Sequence, residues 1–351
     1  MSDKRKIIMD VDTGSDDAVA LVMAMLDREF DLLGICSVNG NIEVKLTTDN
    51  SLRTVEWCGK QDDVKVYKGC DMPLVSALTP WSPQSTGIRS WAMINQPPRK
   101  NPRREGMRAG DKEVHPEHLP LPAPTIQEDA KSAVQFYLET LLAAEDGEIT
   151  LVPVGPLTNL AVAMRADPRI IPKIREIVIM GGGHLMNNAS PAAEFNIWVD
   201  PEAAEIVMQS GCKITWVPLD ATHAAYVTAE EAKEIRKLGT KPATLVADLI
   251  EQRIVGYSQD DAEMRDLKSA PIHDALAVCA VLHPEVLKDV LHCNVHVDIG
   301  GGYAYGETIV ERRIRVIEEE KNCYFALNAD RDMFYEWMYD TLKKDKERRG
   351  L

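Results

Sequence analysis

The chain reads as an α/β protein: an open, mostly parallel sheet flanked by helices, Rossmann-like in its core, with a C-terminal β-hairpin and further helices. Three observations predict this. Short β-rich runs alternate with longer segments of helical period. Runs such as IVIM (177–180) are apolar at every position, as strands covered on both faces are. Near the C-terminus, two strand-like runs, 293–299 and 308–317, flank the turn-rich GGGYAYGE.

The strands expected in chain order are KIIMDV (6–11), DLLGICSV (31–38), VKVYKG (64–69), ITLVPV (149–154), EIVIMGG (176–182) and KITWVPL (213–219). Helical patterns lie between them at 16–29, 43–58, 127–145, 157–166 and 201–210. Later helical stretches fall near 228–256, 273–282 and 330–346. No internal repeat interrupts the series, and the length allows one large α/β domain or two smaller ones. Residues 76–125 stand apart as an insertion. They hold prolines 80, 83, 97, 98, 102, 116, 120, 122 and 124, the basic run PRKNPRREGMR, and Trp81 and Trp91. A connection this long without periodicity is a functional flap or an unstructured loop, and its charge run reads as solvated.

Composition narrows the partners. Hydrophobic residues make up 45% and charged residues 27%, the balance of a globular protein. A net charge of −15 argues against a nucleic-acid backbone as partner. No apolar run is long enough for a membrane span, and the N-terminal apolar run is too short for a signal peptide. The 7 cysteines are odd in number and form no CxxC, which argues against a zinc site or a disulfide framework. Reduced thiols of this kind are expected in a cytoplasmic protein.

MDVDTGSDDAVAL (9–21) crowds Asp10, Asp12, Asp16 and Asp17 behind an apolar strand. Capping accounts for part of this: Ser15 is a plausible N-cap, with Asp16 and Asp17 in the positive first turn. Asp10 and Asp12 are left over at the carboxyl end of a central strand, the edge where open α/β sheets bind ligands. Carboxylates converging there raise one another's pKa unless a cation compensates. An EF-hand loop is excluded, because its sixth position would be Ser15 and its twelfth Leu21. Two chemistries share the remaining spelling. DxDx[TV] is the pattern of Mg2+-dependent haloacid-dehalogenase-type phosphatases, with Asp10 as nucleophile. DxDxGxDD is that of nucleoside hydrolases.

Distant segments distinguish them. The chain carries SVNGN (37–41), TLVPVGPLTNLA (150–161), MGGG (180–183), AEFNIWVDPEAA (193–204) and IHDALAV (272–278), each after an expected strand or at a helix start. In this order, from residue 7 to about 282, the blocks resemble the inosine-uridine-preferring nucleoside hydrolase family. The resemblance implies Ca2+-dependent hydrolysis of the N-glycosidic bond of ribonucleosides, giving ribose and a free base. It also implies a single domain over residues 1–351, with the insertion at about 76–125, and a homodimer or homotetramer. Ca2+ would be held by Asp12, Asp17, Asp274 and the carbonyl of Val154, a set of hard oxygen donors. Asp12 would double as general base and His273 would protonate the leaving base. Asp16, Asn188, Glu194 and Asn196 would grip the ribose hydroxyls, Met180 would pack on the sugar, and Asn41 would lie beside the acids. Glu194 and Asn196, two apart, are expected to point the same way from an extended segment. Asp10 is left as support behind the ligands.

The chain departs from the family pattern after GCDMPL (69–74), where Thr86-Gly87 replaces an expected His-Gly. On the base side, Trp81, Trp91, Tyr257 and His223 are the remaining candidates. Besides the hydrolase, two readings stay open at this point: the phosphatase, and an inactive relative that binds ribosides.

Overall fold

The computed structural model describes residues 4–75, 114–313 and 320–351. Its centre is an eight-stranded sheet whose strands match the expected runs to within a few residues. They are β1 (Arg5–Val11), β2 (Phe30–Ser37), β3 (Val66–Lys68), β4 (Ile149–Pro153), β5 (Ile174–Met180) and β6 (Ile214–Val217). Two three-residue strands, Leu291–Cys293 and Cys323–Phe325, complete it beyond β6. Across the sheet the order is Leu291–Cys293, Cys323–Phe325, β6, β5, β4, β1, β2, β3. All neighbours are parallel except the outermost pair, Leu291–Cys293 against Cys323–Phe325. Chain order reverses between β1 and β4, which pair directly. That junction is the switch point where loops diverge and leave a crevice at the strand carboxyl ends.

Helices cover both faces. The helix α1 (Ser15–Leu26) is buried along its whole length, as its sequence DDAVALVMAML allows after the first turn. It packs against the helices Lys241–Asp260 and His273–Leu282, and against α2 (Val44–Cys58). Residues 15–26, 241–260 and 273–282 are therefore neighbours in space though far apart in sequence. This packing fixes the acids at the N-termini of α1 and of the helix His273–Leu282.

Some expectations need correction. The helical stretch 228–256 is two helices, Ala229–Arg236 and Lys241–Asp260, broken at Leu238-Gly239-Thr240 where Gly239 has φ +76° and Thr240 caps the second helix. The C-terminal hairpin pairs Val295–Val297 with Thr308–Val310 and is shorter than expected, and residues 314–317 of its second run lie outside the described residues. Trp81, Trp91 and Thr86-Gly87 also lie outside them. The N-cap of α1 is Gly14, not Ser15. Among the described residues no helix is long and apolar enough to cross a membrane.

Candidate active site

A cleft opens at the carboxyl ends of β1, β4 and β5. Asp12, Asp16, Asn41, Val154, Met180, Asn188, Glu194, Asn196, His273 and Asp274 all line it. Of the expected site residues only Asp17 is missing from its surface, and it lies directly behind.

One wall is acidic. Asp12 follows β1, and its carboxylate is squeezed between two loops. A Cβ on Gly40 would sit 2.1 Å from Asp12 Oδ2, and one on Gly155 2.8 Å from Oδ1, so both positions require glycine. The Asn41 backbone N–H donates to Asp12 Oδ2 at 2.6 Å, and its Nδ2 donates to the Asp12 carbonyl at 3.1 Å. Asp17 reaches back from the first turn of α1 to the N-cap: Gly14 N–H donates to its Oδ2 at 2.8 Å, and Asp12 N–H to its Oδ1 at 3.1 Å. Asp274 enters from the first turn of the helix His273–Leu282. Carboxylate oxygens of Asp16, Asp17 and Asp274 lie within 4.8 Å of one another, all buried. Asp12 stands beside this trio rather than inside it.

The electrostatics follow from that crowding. Burial pushes Asp17 up to about 7, with Asp16 adding to the rise against the backbone hydrogen bonds. Burial also raises Asp274 well above the carboxylate range, with Asp16, Asp17 and Asp12 contributing and Arg253 opposing. Two helix N-termini favour negative charge here, but they do not offset four neighbouring acids. A hard divalent cation would, and every nearby donor is oxygen. The residues present fit such an ion.

The opposite wall is built of amides and one further acid. Glu194 caps the short helix Phe195–Val199, and its Oε2 accepts from Ile197 N–H at 3.2 Å and Gly182 N–H at 2.8 Å. Asn196 Nδ2 donates to the Val154 carbonyl at 2.7 Å and to the Met180 carbonyl at 3.3 Å. The Val154 carbonyl is thus already shared with the amide wall. Asn188 accepts from Phe195 N–H at 2.9 Å. The segment 194–196 is not extended as expected: Glu194 is an extended cap, and Asn196 is in helix. Both side chains still reach the cleft, because a cap residue and the first turn lie over the same end of the helix.

His273 bridges two hydroxyls, Tyr257 OH at 2.6 Å from Nε2 and Thr222 Oγ1 at 2.7 Å from Nδ1, the ring tautomer being assigned from these contacts. Tyr257 lines the cleft; His223 lies behind, its ring centroid 5.4 Å from that of His273. Asp10 faces elsewhere. It is buried beneath the site, accepts from Tyr137 OH and Asn159 Nδ2, each at 3.0 Å, and is raised to about 7 by burial. An acid absent from the cleft lining is badly placed as a nucleophile, so the phosphatase reading finds no support.

Sequence reasoning missed two lining residues. His115 reaches the cleft from within the proline-rich insertion and packs against Gly14, where a Cβ would meet its Nδ1 at 2.3 Å. No periodicity precedes it, and the histidine on this side was sought near residue 86. Arg253 is 1% exposed within the helix Lys241–Asp260. Its signal was present: Val246, Leu249, Ile250 and Arg253 follow helical spacing, which puts a cation on an apolar stripe.

Fold and cleft together define an open α/β protein with an acid-lined pocket at the sheet's switch point. The model of the family "inosine-uridine preferring nucleoside hydrolase" matches residues 7–336. An inosine-uridine preferring nucleoside hydrolase of Leishmania major is 34% identical over 342 residues, 97% of this chain and 98% of that one. The pyrimidine-specific ribonucleoside hydrolase RihB of Escherichia coli O9:H4 (strain HS) is 34% identical over 95% of both chains. Among solved structures, a purine-preferring ribonucleoside hydrolase from Gardnerella vaginalis superposes with a TM-score of 0.78 at 27% identity, over 97% of this chain and 100% of that one. The chain belongs to the inosine-uridine preferring nucleoside hydrolase family and is a hydrolase acting on N-glycosyl bonds.

Proposed function

We propose that the protein is a Ca2+-dependent ribonucleoside hydrolase that releases ribose and a free base. The observation that carries this reading is the meeting of Asp16, Asp17 and Asp274, from opposite ends of the chain, across a cleft from Glu194 and Asn196. Ca2+ would be held by Asp12, Asp17, Asp274 and the Val154 carbonyl; when bound it supplies charge that orients a vicinal diol and acidifies water.

The chain's own groups do the rest. Asp12, fixed by Asn41 and crowded by Gly40 and Gly155, accepts the proton of the attacking water. Asp16, Asn188, Glu194 and Asn196 bind ribose hydroxyls, and Met180 packs beneath the ring. These contacts hold the sugar while positive charge develops at its anomeric carbon. The leaving base takes a proton through the Tyr257–His273–Thr222 chain, whose three side chains are already hydrogen-bonded in series.

The test is a panel of purine and pyrimidine ribonucleosides assayed for reducing sugar with and without chelator. Ribose release that chelator abolishes and Ca2+ restores is the expected result. Each substrate's 2′-deoxy analogue should react slower by about a thousandfold, because the groups that grip the 2′-hydroxyl are left unpaired. No ribose from any member, with the fold intact, would favour a riboside-binding protein instead.

A further inference from the structure

Carboxylate oxygens of three buried acids meet at the cleft within 4.8 Å of one another, and Asp16 is among them. Nothing in the spacing of Asp16 and Asp17 says which of the two faces a cation and which a sugar. Arg253 breaks the tie. It is 1% exposed, and its NH1 lies 2.8 Å from Asp16 Oδ1. The contact is an ion pair, and among the described residues Asp16 Oδ1 has no hydrogen-bond partner, so it remains able to accept one.

The guanidinium has its own supports. Nε donates to the Pro271 carbonyl at 3.0 Å and NH1 to Ser15 Oγ at 3.1 Å. Ser15 Oγ in turn donates to the Val114 carbonyl at 2.6 Å. The Tyr257 ring lies against the guanidinium, 5.4 Å from centroid to Cζ. Arg253 is therefore held by the Pro271 carbonyl and the Ser15 hydroxyl, from two other segments, and its charge does not follow Asp16 if that side chain moves.

We infer that Arg253 is a positioning residue that reserves Asp16 for the substrate's hydroxyls, leaving Asp12, Asp17 and Asp274 to the metal ion. The reasoning is electrostatic. A carboxylate with a fixed guanidinium beside it is already compensated, and a divalent cation placed against it would also face Arg253 at close range. A carboxylate without that partner is drawn to the ion. This inference rests on the proposed metal-dependent reading of the site, and its test separates the two.

The probe is Ca2+ alone, titrated calorimetrically into chelator-treated protein, with nucleoside kinetics run in parallel. In Arg253→Met, Asp16 is released to the cation. Ca2+ should then bind tighter by about tenfold or more, while KM for ribonucleoside rises by a similar factor, because one neighbouring positive charge is gone and the sugar has lost its acceptor. Arg253→Lys keeps the charge and should stay within about threefold of the parent in both measurements, although a lysine lacks the fork that reaches Pro271 and Ser15 together. A merely structural arginine predicts the opposite sign: loosening the site weakens Ca2+ binding.

Because an unpaired buried acid endangers folding, Arg253→Met/Asp16→Asn is the second variant. It replaces a charge pair with a neutral pair and should bind Ca2+ within about threefold of the parent protein, since Asp16 is not a ligand. Weaker or unchanged Ca2+ binding in folded Arg253→Met, or a tenfold loss in the double variant, overturns the assignment. Absence of Ca2+ binding by the unmutated protein would instead bring down the functional reading on which it rests.

Discussion

The two walls of the cleft are made by different means. On the acid wall, four carboxylates from two helix N-termini and a strand end stand together, and burial raises Asp17 and Asp274 far above the range of a solvated acid. On the amide wall, Glu194 and Asn196 spend their polar atoms on the backbone of Gly182, Ile197, Val154 and Met180. The first wall carries an excess of negative charge that the proposed cation would offset; the second presents preset acceptors and donors. A site that must bind both an ion and a neutral sugar gains from that division, because each wall is changed without rebuilding the other.

The division is broken most severely at Asp274. Asp274→Ala removes a predicted Ca2+ ligand from the acid wall and should lower kcat/KM by about a thousandfold or more, together with measurable Ca2+ affinity. Glu194→Gln is its counterpart on the amide wall. The amide still accepts from Gly182 and Ile197, so the cap costs about 1 kcal/mol at most. Turnover should fall by about a hundredfold while calorimetric Ca2+ affinity is unchanged. A shared loss of Ca2+ binding in both variants would mean that the walls are one unit.

A pH series sharpens the same comparison with a smaller effect. Burial raises Asp17 to about 7 in the folded chain and raises Asp274 as well, whereas solvated aspartates in the unfolded chain titrate near ~3.9. The folded protein therefore holds protons that the unfolded chain has released. Their contribution to stability without cation is full below about pH 4 and is lost as pH rises through about 7. Ca2+ binds the deprotonated acids, so its stabilisation should grow over that window. Scanning calorimetry should show a Ca2+-induced increase in Tm that is several degrees larger near ~pH 8 than near ~pH 5. An equal increase at both would place the ion away from these acids.

How much of this was legible in the sequence follows from which forces act locally. The strands β1, β2, β4 and β5 are long apolar runs bounded by turn residues, and such runs declare themselves. Leu291–Cys293 and Cys323–Phe325 are three residues each, too short for alternation to show, and they join the sheet only because β6 offers an edge. At the site, nine of the lining residues sit in short sequence blocks, and Asn188 lies between two of them. Arg253 and His115 are brought in by packing across long separations, where local pattern carries little. The end of 228–256 as a single helix was a local failure: Gly239 and Thr240 are a stop and a cap in plain view.

The smallest expected effect belongs to Asp10, and it draws the contrast inside a single strand. Asp10 and Asp12 are two residues apart, yet Asp12 lines the cleft and Asp10 is sealed below it, against Tyr137 and Asn159. With its pKa raised to about 7 by burial, Asp10 is close to half protonated at neutral pH, so an isosteric amide resembles its protonated form. In Asp10→Asn the new carbonyl oxygen keeps one donor from Asn159, and the Tyr137 hydroxyl reorients to accept from the new amide; the net cost should be about 1 kcal/mol. Turnover should fall by less than about tenfold, against a loss of about a thousandfold for Asp12→Ala, whose carboxylate is the proposed proton acceptor. If Asp10→Asn instead abolishes turnover while its melting temperature holds, the buried acid takes part in the chemistry and the separation between these two aspartates is wrong.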